Sequence, residues 1–228
     1  MRVRKIRDLT IIDINETQSI VIACDSCGGI GTKKHDVMQI PNYYSAKFTA
    51  RVVLMEIMCV GANIISISNA VCNEMEPTGR EAIRGIKSEL EYFKVDNAVL
   101  TGSTEENFET FTTALGVTAV GIADTEKIKI NNIKDDCILI SVGTPKIGGE
   151  IDLQGDKDIV SYEELINLIN NENVYEIVPV GSKGILYESQ LLAKNNNMNL
   201  ILNEEINIDI NRSSGPATSI VVALKEEE

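Results

Sequence analysis

CDSCGGIGTKKHDVMQIPNYYSAKFTARVVLMEIMCVGA, residues 24–62, is the stretch that organises the sequence. A β-rich run ends at Asp25, a glycine-rich loop follows it, and Lys33 and Lys34 close the loop. Glycines let backbone N–H groups approach an anion, while the carboxylate suits a metal ion and the lysines suit phosphate oxygens. The stretch indicates a nucleotide with its divalent ion as the first ligand to test, although glycines after a strand also form ordinary turns.

The glycine loop departs from two common nucleotide motifs. A P-loop needs a Gly-Lys-Ser/Thr triplet, whereas Thr32 here precedes Lys33. A dinucleotide fingerprint needs a third glycine that opens a helix, and none follows Gly29 and Gly31. A spacer and a long apolar helix over 45–60 come next, so the loop and the helix are interpreted together.

Periodicity and turn residues predict the other elements. β-Branched runs predict a hairpin over 8–13 and 19–24, with later strands over 64–72, 95–101, 111–123 and 219–225. Helices are expected from a cap at Thr78 to Phe93, from a Ser-x-x-Glu cap at Ser161 to Ile169, and over 184–194. The glycine turns in SVGTPKIGGE and PVGSKGILYE are better interpreted as strand ends and helix starts than as anion sites. A domain boundary is expected near residue 135.

Composition and charge restrict the class of protein. With 228 residues, 43% hydrophobic and 24% charged, the sequence predicts a globular protein of one large or two small domains. No apolar run is long enough to span a membrane, and the N-terminus lacks the apolar core of a signal peptide, so a cytoplasmic protein is expected. The net charge of -13 argues against a nucleic-acid partner.

A local basic cluster and the cysteines leave alternatives open. Arg2, Arg4, Lys5 and Arg7 are interpreted first as a solvated edge strand and second as an arm over a triphosphate. Five cysteines, an odd number, indicate free thiols in a reducing compartment. Cys24 and Cys27 form a CxxC, but no second pair is present to complete a zinc site, so redox or zinc chemistry is the less favoured interpretation.

Three separated motifs resemble the ATP-binding half of the aminoimidazole ribonucleotide synthetase and thiamine monophosphate kinase superfamily. They are Asp25 with GIGTK, the helix ARVVLMEIMCVGA (50–62) and TGSTEEN (101–107). Within that superfamily, CDSxGGIGxK, ARVxLME and the late SGPATS (214–219) are most similar to the short branch of α-ribazole kinase, or α-ribazole-5-phosphate synthase.

The resemblance implies an α+β fold, with a two-layer arrangement of a mixed sheet and helices. It implies an N-terminal ATP-binding and dimerisation domain over 1–135 and a shortened C-terminal α+β domain over 136–228. Strands of two subunits would pair, so a homodimer is expected. The implied activity is an ATP- and Mg²⁺-dependent kinase that phosphorylates α-ribazole to α-ribazole 5′-phosphate in cobalamin lower-ligand salvage.

The resemblance also implies roles for individual residues, and the sequence departs from the pattern at two places. The catalytic candidates are Asp25 and Lys33, the metal candidates are Asp25, Asp36 and Glu106, and the nucleotide-binding candidates are Gly28, Gly29, Gly31, Thr32, Lys33, Gly102, Ser103 and Thr104. Ser103 stands where the family has a metal-binding carboxylate, so Glu105 or Glu106 is expected to replace it. Family members usually carry an earlier acidic loop, whereas Asp8 and Asp13 are the only aspartates before Asp25.

Two other functions remain open at this point. Other branches of the superfamily are ATP-dependent cyclases or dehydratases that act on an amide oxygen. A nucleotide-binding regulator without catalysis is the third hypothesis, and the substitution at Ser103 favours it.

Overall fold

The computed structural model describes residues 1–226, and its contacts divide the chain into two units. The first unit contains residues 1–58 and 62–126, and the second contains residues 59–61 and the chain from Lys127 onward. The boundary expected near residue 135 stays a prediction. Within the described residues, no helix is long and apolar enough to cross a membrane.

The first unit contains eight strands and two long helices in its described residues. They are β1 (Arg2–Ile6), β2 (Leu9–Asp13), β3 (Gln18–Gly28), β4 (Ile30–Gly31), β5 (Met38–Gln39), α1 (Asn42–Cys59, whose last residue is assigned to the second unit), β6 (Asn63–Val71), α2 (Arg80–Tyr92), β7 (Val99–Ser103) and β8 (Ala114–Asp124). Short helical turns lie at Met75–Gly79 and at Thr125–Lys127, and the last residue of the second turn also belongs to the second unit.

A mixed sheet of six strands, in the order β1-β2-β3-β8-β6-β7, forms one layer of this unit. The expected hairpin is confirmed, because β2 and β3 pair antiparallel with Thr10 opposite Ile22. β6 and β7 pair in parallel, while β8 pairs antiparallel with both β3 and β6. The basic N-terminus forms the edge strand β1, in which Arg4 donates to Asp13 at 2.7 Å.

Side chains alternate across this sheet, so one face is buried and the other is open. On β8, Leu115, Val117 and Ala119 are buried, whereas the residues between them are half-buried. α1 covers the buried face: Val53 and Ile57 are fully buried, and a side chain added at Gly121 of β8 would overlap the Ile57 side chain. The open face is apolar toward one end and small or polar toward the other, as the side chains of β3 show.

α1 and α2 lie close together in the second layer. A side chain at Gly85 would overlap the carbonyl oxygen of Tyr43, so only glycine permits this approach. The helix predicted over 45–60 begins three residues earlier, at Asn42, and Gly61 follows it with a φ of 80°. The expected cap at Thr78 is wrong, because α2 begins at Arg80 and the Thr78 hydroxyl donates to the Glu74 carboxylate at 2.7 Å instead.

The second unit is a smaller α+β arrangement. It contains β9 (Cys137–Val142), α3 (Tyr162–Ile169), β10 (Val174–Pro179), α4 (Gly184–Asn195) and β11 (Ile220–Lys225), with a short helical turn at Gly148–Glu150. The strands form an antiparallel sheet in the order β10-β11-β9. The capping box predicted at Ser161 is confirmed, since its hydroxyl accepts from the Glu164 amide while Glu164 accepts from the Ser161 amide. The mixed α+β class expected from the sequence is confirmed.

Candidate functional site

Asp25 lies inside a strand rather than at its end. β3 continues to Gly28, so the prediction that the strand ends at Asp25 is wrong. The strand extends because β8 pairs with it along its whole length, and Asp25 lies opposite Val117. Side chains alternate along a strand, so Asp25 and Cys27 share the helix-covered face with Val21 and Ala23.

The environment of Asp25 disfavours its own negative charge. Burial raises the pKa of the Asp25 carboxyl, the N–H of Ser26 lowers it, and the charge of Asp8 raises it further. Among residues 1–226, no lysine or arginine forms an ion pair with Asp25. A divalent cation would offset both the burial and the repulsion from Asp8, so this carboxylate fits a metal ligand.

The carboxylates of the other two metal candidates already accept hydrogen bonds from groups of the protein. Asp36 is buried, and its carboxylate accepts from the amide and the hydroxyl of Thr113, both at 2.7 Å, and from the Lys33 amide at 2.8 Å. Glu106 is exposed and accepts from the Met75 amide at 2.7 Å. In the part of the chain that the structure describes, no three His, Cys, Asp or Glu side chains are grouped so that they could hold a metal ion.

Asp25 and Asp36 nevertheless lie near a common neighbour. The pKa of the Cys27 thiol is raised by burial first, lowered by a hydrogen bond with Thr49, and raised by the charges of Asp25 and Asp36. Both carboxylates therefore act on the same half-buried thiol on the helix-covered side of the sheet. Glu106 lies on a different segment, after β7, where it accepts from the Met75 amide.

The backbone amides of the glycine loop are largely occupied by protein oxygens. Gly29 donates to the Thr113 carbonyl oxygen at 2.8 Å, and Thr32 donates to the Asn42 side-chain oxygen at 3.2 Å. A side chain at Gly31 would overlap Thr113 and Asn42, so glycine is needed for close packing there. The loop is thus a folded structure held by α1 and by Thr113, the residue just before β8, and its Lys33 side chain forms an ion pair.

Lys33 is held by an acid that sequence reasoning missed. Its ammonium donates to the Glu74 carboxylate at 2.5 Å, and the two side chains are 20% and 29% exposed. Burial raises the pKa of Glu74, but the hydrogen bonds from Lys33 and Thr78 outweigh it and leave the pKa below its ordinary value. The signal that could have found Glu74 is its place just after β6, because parallel β6 and β7 bring their carboxyl ends to one edge of the sheet.

The segment after β7 supplies the remaining nucleotide candidates. Gly102 approaches the Asn69 backbone on β6 so closely that a side chain would overlap the Asn69 carbonyl oxygen. Ser103 is exposed at the end of β7, and the Thr104 hydroxyl donates to Glu106 at 2.8 Å. Because Glu106 also accepts from the Met75 amide, this segment is joined to the one that carries Glu74.

The structure does not support a redox or zinc role for the CxxC. All five cysteines are free, and Cys24 and Cys27 point to opposite faces of β3 because they lie three positions apart on a strand. The raised pKa of Cys27 keeps its thiol protonated and weakly nucleophilic.

The glycine turns of the second unit are strand ends and helix starts, as expected. Gly143 follows β9 with a φ of 82°, and Gly184 opens α4 with a φ of 83°. The SGPATS segment is a turn before β11, in which the Ser214 hydroxyl bonds to those of Thr218 and Ser219 at 2.8 Å.

Solved structures share this fold at low sequence identity. PurL of Thermotoga maritima complexed with ATP matches with a TM-score of 0.67 and 14% identity, over 94% of this chain and 37% of that chain. Thiamine monophosphate kinase of Aquifex aeolicus matches with a TM-score of 0.62 and 11% identity, over 98% of this chain and 85% of that one. A HypE–HypF complex matches with a TM-score of 0.60 and 14% identity, over 94% and 77% of the two chains.

These likenesses define a protein with the fold shared by PurL, HypE and thiamine monophosphate kinase, although this chain spans only 37% of the PurL chain. No curated protein sequence matches it. A family model described as AIR synthase related protein, N-terminal domain, matches residues 7–123, which is more than half of the chain. The chain belongs to the AIR synthase related family.

Proposed function

We propose that the protein is an ATP-dependent phosphotransferase that acts on a hydroxyl group of a small molecule. Membership of the family supports this proposal, as do a fold neighbour named a kinase and another solved with ATP. The observation that carries it is Asp25, a half-buried carboxylate that faces a second acid and has no ion-pair partner among residues 1–226, a few residues before the loop of Lys33.

The residues present fit Mg²⁺ together with a polyphosphate. Mg²⁺ binds one or two carboxylates beside substrate phosphates and keeps several waters, so Asp25 with Asp36 or Glu106 suffices. When bound, the ion neutralises phosphate charge. Lys33 supplies a cation for phosphate oxygens, and positioning of this kind provides most of the rate in phosphoryl transfer.

The nucleotide-binding surface combines the glycine loop with the end of β7. Gly28, Gly29 and Gly31 have no side chains that would cover the loop backbone, and Thr32 is exposed, with its hydroxyl accepting from the Asn42 side chain at 3.0 Å. On the neighbouring segment, Gly102, Ser103 and Thr104 provide a strand end with two hydroxyl groups. The Thr32 and Ser103 hydroxyls and the Lys33 ammonium are donors that suit a phosphate chain, whereas the Thr104 hydroxyl donates to Glu106.

The acceptor that the sequence motifs suggest is the 5′-hydroxyl of α-ribazole. The test is incubation with Mg²⁺, ATP and a panel of nucleosides that includes α-ribazole, followed by mass spectrometry. A product heavier by one phosphoryl group supports the kinase. A product that has lost water from an amide supports a cyclase or dehydratase, and ATP binding without turnover supports a regulator. Absence of Mg²⁺-dependent ATP binding by calorimetry would overturn all three.

The partner we propose is a second copy of the chain. The open face of the first sheet carries half-buried Ile12, Ile20, Ile22, Val120 and Ile122, a larger apolar set than a solvated sheet face normally shows. A second copy would cover these side chains, as the family resemblance implies.

A further inference from the structure

Glu74 connects the glycine loop to the segment that leads into α2. One carboxylate oxygen accepts from the Lys33 ammonium at 2.5 Å, and the other accepts from the Thr78 hydroxyl at 2.7 Å. The segment around it is fixed in turn, because Asn73 donates to the Thr112 carbonyl oxygen at 2.8 Å and the Met75 amide donates to Glu106. Glu74 therefore offers Lys33 a stationary acceptor.

A lysine needs such an acceptor if its ammonium is to be held in one place. The side chain has four rotatable carbons and carries about 2 kcal/mol of rotamer entropy. Its ammonium has three N–H donors, so one hydrogen bond to Glu74 leaves two for another acceptor. Among residues 1–226, Glu74 is the acid that pairs with Lys33.

We propose that Glu74 is a positioning residue that holds the Lys33 ammonium ready for a phosphate oxygen of ATP. This inference rests on the proposed function. Glu74 itself does not touch the nucleotide, and it acts through Lys33. Removing it leaves Lys33 charged but mobile, so ATP affinity falls although the cation remains. Removing the partner that orients a metal-ligating side chain typically costs about 10- to 100-fold in affinity, and we expect a loss at the lower end of that range, about tenfold, for Lys33.

The experiment compares Glu74→Ala and Glu74→Gln with the wild type and with a control, Glu76→Gln. Glu76 lies on the same segment, but it is exposed and its partner is Arg80 on the surface. Calorimetry with Mg²⁺ and ATP should show about a tenfold weaker Kd for Glu74→Ala, a smaller loss for Glu74→Gln, which keeps an acceptor, and an unchanged Kd for Glu76→Gln. In a Lys33→Ala background, Glu74→Ala should change the Kd no further.

A second readout does not depend on turnover. The acylation rate of the Lys33 amine, followed by peptide mass spectrometry without nucleotide, should rise in Glu74→Ala and not in Glu76→Gln, and ATP should protect Lys33 in the wild type. If the wild type binds ATP and Glu74→Ala binds it equally tightly, the positioning role is wrong and the proposed function stands. If ATP neither binds nor protects Lys33 in the wild type, both are wrong.

Discussion

At the scale of single residues, the carboxylates near the glycine loop differ in whether the protein already satisfies them. Asp36 receives three hydrogen bonds from Thr113 and Lys33 and holds the loop in shape. Asp25 has one backbone N–H and the repulsion of Asp8. A side chain whose charge the fold leaves uncompensated is a candidate for function, because the compensation can come from a ligand.

Asp25→Asn should abolish Mg²⁺-dependent ATP binding and leave the protein at least as stable at neutral pH. The folded-state pKa of Asp25 is raised, so its charged form lowers stability as pH rises through that pKa, and an uncharged side chain of similar size removes this cost. Urea unfolding at pH 7 and calorimetry with ATP test both parts.

Asp13→Asn is the matched control for Asp25→Asn. The hydrogen bonds from Arg4 and Ser19 lower the pKa of Asp13, so its charge contributes stability that is present above the unfolded-state pKa and is lost as pH falls through the folded-state pKa. This variant should lose stability at pH 7 and keep ATP binding. Retained ATP binding in Asp25→Asn would contradict the metal role.

Gly31→Ala should cost about 1–3 kcal/mol of unfolding free energy, because the added methyl group overlaps Thr113 and Asn42. Gly28→Ala is the comparison in the same loop. It has nothing within 4 Å of the added carbon, so its cost should stay within about 0.5 kcal/mol. Thermal and urea unfolding measure both. Equal costs would show that the loop is looser than its packing indicates.

At the scale of elements, a buried carboxylate on α2 forms ion pairs with two cations on α1. Glu89 on α2 is 2% exposed and lies 3.6 Å from Arg51 and 3.7 Å from Lys47, both on α1. Burial raises the pKa of Glu89, and the two cations offset part of that effect. The helix pair therefore depends on the cations that face this carboxylate.

Arg51→Met should lower the unfolding free energy by about 3–5 kcal/mol at pH 8, because it leaves the Glu89 carboxylate buried with less compensation. A raised carboxyl pKa means that stability returns as pH falls through it, so the loss should be smaller at pH 5. The exposed pair Arg84–Glu81 provides the control, since Arg84→Met should cost no more than about 1 kcal/mol. A loss independent of pH would show that Arg51 acts through packing alone.

Features that depend on neighbouring residues in the sequence were predictable, whereas features that depend on contacts with residues far along the chain were not. The hairpin of β2 and β3 and the Ser161 cap follow from neighbouring residues and are confirmed. The extension of β3 beyond Asp25 depends on β8, about ninety positions away, and the bond between Lys33 and Glu74 joins residues 41 positions apart. Thr78 matched the pattern of a helix N-cap, but its hydroxyl donates to the Glu74 carboxylate instead. No local pattern carries such information.

At the scale of the whole molecule, the open face of the first sheet predicts self-association. Ile22→Lys places a charge among the apolar side chains of that face and should convert a dimer to a monomer, as light scattering after gel filtration would show. Lys5→Glu on the edge strand β1 is a control that should leave the mass unchanged. A monomeric wild type would contradict the proposed dimer.

The contacts of Thr113 have a consequence for the order in which the protein matures. This residue holds Gly29 and Asp36 from 77 or more positions further along the chain. A ribosome must therefore deliver Thr113, the residue just before β8, before the glycine loop can take its shape. Until then the nascent chain carries every residue of the loop but not the folded loop itself, and any ligand of the loop has to wait for the segment that leads into the last strand of this sheet.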